Sequence, residues 1–191
     1  WPLGPIFRGS GAFFIRRRMK GNVLYQIALE RYIWKLLREG YSIEFFIEGG
    51  RSRTGKMLPP KYGILNTITS AHVQGMVPEI VFLPIFVGYE KILEDDTMAR
   101  EQAGAKKEKE SFGGLVRSAR LLQSKYGRLY MRVGEPVLLS KEIEAEGTTQ
   151  SLLAEDGAAF KHFSRHLAHR LEDRINQAAI VTPAALAASA L

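Results

Sequence analysis

The sequence contains no cysteine, which excludes disulfides, thiolate metal sites and a cysteine nucleophile. It has no apolar run near the roughly 18 to 20 residues that a bilayer-spanning helix needs. Its longest apolar run, Ile80 to Val87, is sized for a buried strand, and the apolar stretch Ala178 to Leu191 is interrupted by Thr182, Pro183 and Ser189. The opening residues WPLGPIFRGS lack the basic-then-apolar build of a secretory signal. They begin on Trp1 rather than methionine, so the chain is expected to be a piece of a longer one. No internal repeat is present.

What is present is an ordinary globular mixture. The 191 residues are 46% hydrophobic and 25% charged, enough for one domain with a core. The net charge of +7 admits nucleic acid, an anionic membrane surface or a phosphorylated small molecule as partner.

Hydrophobic patterning predicts a strand at Gly11–Arg17 running into basic residues, then a helix from an Asn22 N-cap to Gly40. On that helix Tyr25, Leu29, Tyr32, Ile33 and Leu36 share a stripe about 100° wide, opposite Arg31, Lys35 and Arg38. Strands are predicted at Tyr41–Ile47 and Ile80–Val87, with a helix at Gly63–Val73 between them. The alternation implies an α/β fold with a mainly parallel sheet flanked by helices. Further on, Glu90–Glu110 reads as a charged loop, Ser111–Lys125 as a helix, and Arg128–Leu139 as a strand interrupted by Gly134 and Pro136. Glu142–Gly157 reads as linker and Phe160–Ala179 as a docked C-terminal helix, dividing the chain into 1–139 and 140–191.

The chemically informative segment is Phe45–Lys56, FFIEGGRSRTGK. A strand-like run ends in Glu48, then Gly49 and Gly50 permit close backbone approach to a ligand. Arg51, Ser52, Arg53 and Thr54 follow with fork-shaped and single donors suited to phosphate oxygens. Glu48 is expected either to be anchored by an arginine or to accept a substrate hydroxyl. Gly50–Lys56 also spells most of a nucleotide-binding P-loop. Against that, Met57 replaces the Mg²⁺-binding hydroxyl, Pro59-Pro60 breaks the required helix, and two bulky arginines occupy the loop.

Three segments, GAFFIRR at Gly11–Arg17, FFIEGGRSRTGKMLPPKYG at Phe45–Gly63 and FLPIFVGYE at Phe82–Glu90, resemble successive motifs of the glycerol-3-phosphate acyltransferases, most closely the long bacterial membrane-bound type. GPIFRGSGAFFIRR, AKKEKES at Ala105–Ser111 and YMRVGEPV at Tyr130–Val137 extend the likeness over most of 1–139, and LEDRINQAA continues it loosely. The resemblance implies a glycerol-3-phosphate site made of Arg16, Arg17, Glu48, Gly49, Gly50, Arg51, Ser52 and Arg53, with Pro84 on the acyl-donor side. It further implies acyl transfer from acyl-CoA or acyl carrier protein, a membrane setting at the cytoplasmic face of the bacterial inner membrane with anionic lipids as partner, and no cofactor. The family's catalytic histidine, with an aspartate five residues on, has no counterpart here. The chain is therefore expected to bind acceptor without catalysing, whether as part of an enzyme or as a non-catalytic paralogue.

His162, His166 and His169 share one helical face, among Lys161, Arg165 and Arg170, and no carboxylate is expected on that stripe. A solvated basic helix, able to lie against anionic headgroups, is expected there rather than a metal site. Lysines 106, 107 and 109 alternate with Glu108 and Glu110, which argues against a nucleic-acid surface.

Overall fold

A computed structural model describes residues 4–16, 21–50, 56–89, 128–181 and 186. It divides into two compact units, Trp1–Ser42 and Ile43–Leu191.

The first unit holds α1 (Gly4–Gly9) and α2 (Val23–Arg38). The Asn22 side chain accepts the Tyr25 N–H at 3.0 Å, so the expected N-cap forms. At the other end the Tyr41 and Gly40 N–H groups donate to Leu36 and Leu37 carbonyls, both at 3.0 Å. This closure needs a positive φ at Gly40, which is 80°. Ile33 and Trp34 are buried, while Tyr25, Leu29 and Leu36 are half-buried. Tyr32 departs from the predicted stripe: it is 44% exposed and meets the Phe13 ring edge-on. Arg31, Lys35 and Arg38 face solvent as expected. Arg31 also lies 4.7 Å over the Trp34 ring.

Neither 12–16 nor 41–46 forms a strand, contrary to the sequence expectation. Ile43, Phe45 and Ile47 are less exposed than Ser42, Glu44 and Phe46, so a period of two persists. Periodicity, however, only prepares a strand. A ladder also requires a neighbour presenting N–H and C=O groups, and no such pairing occurs there among the described residues.

In the second unit, α3 (Tyr62–Val73) follows Pro59-Pro60 and buries Leu65, Ile68, Thr69, Ala71, His72 and Val73. The predicted strand at Ile80–Val87 is two pieces, β1 (Val81–Phe82) and β2 (Ile85–Tyr89). The later strand breaks where Gly134 and Pro136 predicted, into β3 (Leu129–Val133) and β4 (Val137–Leu138). β1 pairs with β4 and β2 with β3, both antiparallel, with Phe82 opposite Val137 and Ile85 opposite Val133. The expected mainly parallel sheet is thus not found among the described residues. The chain re-enters beside the end of β2, Leu129 opposite Tyr89, and runs back along it, which dictates antiparallel pairing. Between the two ladders Leu83-Pro84 faces Gly134-Glu135-Pro136, two residues against three. Pro84 has no N–H to give, but its carbonyl accepts the Gly134 N–H at 2.8 Å.

The segment read as linker is helical instead. It forms α4 (Leu139–Ala145) and α5 (Gln150–Glu155), followed by α6 (Gly157–Gln177). Leu139, Ile143 and Leu153 are the few apolar side chains that fasten α4 and α5, which is why a polar composition misled the reading. α6 packs on α3 and α5 through Phe163, Ser164, Leu167, Ala168 and Leu171. Leu167 is 1% exposed, and truncating such a side chain to alanine typically costs about 2 to 5 kcal/mol. No helix among the described residues is long and apolar enough to cross a membrane.

Candidate functional site: the glycine-arginine loop and its supports

Ile47 is buried and anchors the chain as it enters the FFIEGGRSRTGK segment. The Lys61 N–H donates to the Ile47 carbonyl at 2.7 Å, and the Glu48 Oε2 accepts the Leu58 N–H at 2.8 Å. These two bonds bring together the residues flanking 51–55. Gly49 turns the chain with a φ of 60°, and its N–H donates to the Phe46 carbonyl at 3.0 Å. A Cβ at Gly49 would stand 2.8 Å from the Lys61 Cγ, so both backbone conformation and space require glycine. Gly50 is looser, with Leu58 Cδ1 at 3.9 Å from an added Cβ.

Glu48 therefore uses one oxygen on a backbone N–H, a partner the sequence reading did not consider. Arg17, Arg51, Ser52 and Arg53 lie outside the described residues, as do the predicted loop at Glu90–Glu110 and helix at Ser111–Lys125. Arg16 is described and exposed, in the first unit. Its N–H donates to the Tyr25 hydroxyl at 3.0 Å and its guanidinium sits 5.2 Å over the Tyr25 ring, leaving the fork open to solvent. Pro84 is buried at the kink between β1 and β2. The P-loop alternative finds no support: no helix follows Lys56 directly, since α3 starts only at Tyr62.

The second unit adds charged groups that sequence spacing did not single out. Burial pushes the Glu172 carboxyl up. The charge and hydrogen bond of His169 pull it down, while Glu48 and Asp173 repel its charge, and it stands above the ordinary carboxylate range. The His169 Nδ1 lies 3.3 Å from Glu172 Oε2. Glu79 is the opposite case. Burial raises its pKa, yet hydrogen bonds from the Ser140 hydroxyl and the N–H groups of Ile80 and Ser140, with the charge of His72, outweigh it and leave it lowered. Nothing in the sequence near Glu79 points to Ser140, which lies 61 positions away.

The basic, carboxylate-free histidine face is corrected as well. His169 pairs with Glu172 on its own helix, and Arg170 bonds Glu142 and Glu146 of the α4 end. His166 faces Glu146 at 3.2 Å.

Comparison with known proteins completes the assignment. A family model described as Acyltransferase matches residues 1–88, and one described as Glycerol-3-phosphate acyltransferase C-terminal region matches residues 98–191. The chain thus carries an acyltransferase domain. The glycerol-3-phosphate acyltransferase of Pasteurella multocida (strain Pm70) is 41% identical over 194 residues, covering 100% of this chain and 24% of that protein. The one from Aeromonas hydrophila is 42% identical over 194 residues, with the same two shares of 100% and 24%. That of Glaesserella parasuis is 49% identical over 140 residues, 73% of this chain and 17% of that protein. The chain belongs to the glycerol-3-phosphate acyltransferase family. It spans about a quarter of the length of the Pasteurella and Aeromonas relatives it matches.

Proposed function

We propose that this chain is the acceptor-binding part of a glycerol-3-phosphate 1-O-acyltransferase. The whole enzyme moves a fatty acyl group from acyl-CoA or acyl carrier protein to glycerol-3-phosphate, giving lysophosphatidic acid. Arg16, Arg17, Arg51 and Arg53 take the phosphate, Ser52 and the Gly50 N–H add single donors, Gly49 turns the chain, and Glu48 holds the loop. What supports this most is the tie from the Glu48 carboxylate to the Leu58 N–H. It fixes the two ends of a segment whose own residues are almost all phosphate donors. Each hydrogen bond to a charged group contributes roughly 1.5 to 3 kcal/mol, so three or four suit a small phosphate ester.

Chemistry requires a base on the acceptor hydroxyl, and no histidine of this sequence has the aspartate partner that would orient it. Binding without turnover is therefore the expected property of these 191 residues alone. Pro84 lies on the acyl-donor side of the site, and the membrane surface is met through anionic lipid at the cytoplasmic face.

The test is steady-state kinetics on an intact enzyme of the family carrying this sequence. Arg51→Ala and Arg53→Ala should each raise KM for glycerol-3-phosphate about tenfold or more, from the loss of one charged contact. KM for the acyl donor should hold in both, whereas Pro84→Ala should change it. Unchanged glycerol-3-phosphate KM in both arginine variants would remove the phosphate assignment.

A further inference from the structure

The short turn after α4 brings a carboxylate against two imidazoles of α6. Glu146 caps α4, and the Gly147 and Thr148 N–H groups bond back to Glu144 and Ile143 at 2.9 and 3.2 Å. That closure turns Glu146 toward α6. His162 and His166 are four residues apart, so their side chains share one face on successive turns. Their ring centroids are 4.1 Å apart, and His166 Nδ1 lies 3.2 Å from Glu146 Oε2. One ligand atom from each of Glu146, His162 and His166 falls within 4.8 Å of the others.

A simple His166–Glu146 hydrogen bond accounts for one ring but not for the second, which is tilted against it at 57°. Ligands about 2.0 to 2.1 Å from a tetrahedral zinc ion stand about 3.3 Å apart, the spacing His166 and Glu146 already have. Both imidazoles are exposed, so a rotamer adjustment of His162 closes the third edge. Arg170 does not occupy the whole carboxylate: its Nη2 takes Glu146 Oε1 at 2.7 Å, and its Nη1 takes Glu142. A guanidinium so placed orients a ligating carboxylate from outside the coordination sphere. Its charge is offset by two carboxylates, while Lys161 and Arg165 are solvent-exposed and screened.

We propose that Glu146, His162 and His166 form a site for a divalent transition-metal ion, zinc above all, that clamps helix α6 to the end of α4. Two imidazoles and one carboxylate favour zinc, copper or nickel over magnesium or calcium, and leave an open position for water. The inference is independent of the acyltransferase reading.

Tag-free, chelator-treated 191-residue chain titrated with zinc chloride by calorimetry near neutral pH should take up one equivalent. His162→Ala and His166→Ala should each weaken binding about tenfold or more, as loss of even an outer-sphere partner does. His169→Ala, whose ring is engaged by Glu172, should bind as before. Circular dichroism confirms that each variant keeps its helix content. Cobalt(II) in place of zinc should show tetrahedral d–d absorption, lost in the same two variants. No saturable zinc uptake, or uptake unchanged in both variants, overturns the proposal, as does loss in His169→Ala alone.

Discussion

Glu48 and Glu172, both in the second unit, have contrasting surroundings. Glu48 is held by a backbone N–H, whereas Glu172 has an oxygen that is buried without a hydrogen-bond partner. Burial, then the negative charges of Glu48 and Asp173, disfavour the Glu172 carboxylate more than His169 favours it. A carboxyl raised in the folded state adds stability below its unfolded pKa and loses it as pH rises through the folded value. Glu172→Gln removes that dependence. The variant should therefore gain on the wild type as pH climbs from about 4 to about 7, read as the difference in melting temperature across the range. A constant difference would place the cause elsewhere. The turn at Gly49 was legible in the sequence because a positive φ is a local demand that glycine meets. The Leu58 N–H as the partner of Glu48 was not, because nothing nearby in sequence marks a contact made only by folding.

At the scale of elements, what the sequence revealed was again whatever is decided locally. Asn22 and Gly40 framed α2 because caps act within four residues. Gly134 and Pro136 located the break between β3 and β4 because proline cannot donate to a ladder. Strand partners are non-local, so Gly11–Arg17 and Tyr41–Ile47 were read as strands although no ladder forms there among the described residues, and the antiparallel sense of the sheets was missed. α4 was missed for a related reason: its start is capped from outside. Leu138 offers no side-chain cap, and Glu79 accepts the Ser140 N–H at 3.2 Å in its place. Glu79→Ala should lower stability by about 0.5 to 2 kcal/mol in urea denaturation, as loss of an N-cap does. Because the Glu79 pKa is lowered, that stability is present above the unfolded pKa and lost as pH falls through the folded one. The gap to the variant should therefore close below about pH 4. A gap that persists there would mean Glu79 acts by packing alone.

For the whole molecule, charge and exposed apolar surface bear on the proposed membrane setting. The chain carries +7, and the β2–β3 ladder presents Ile85, Val87, Met131 and Val133 to solvent. Co-sedimentation with phosphatidylglycerol-containing vesicles should exceed that with neutral vesicles and fall as salt is raised, since headgroup attraction is screened. Equal, salt-independent binding to both would remove anionic lipid as the partner.

These residues are proposed to hold glycerol-3-phosphate by its phosphate, and direct calorimetry on the 191-residue chain tests that role. Saturable binding of glycerol-3-phosphate, absent with glycerol and weakened about tenfold or more by Arg51→Ala or Arg53→Ala, is the predicted result. No binding, or binding indifferent to both arginines, would contradict it.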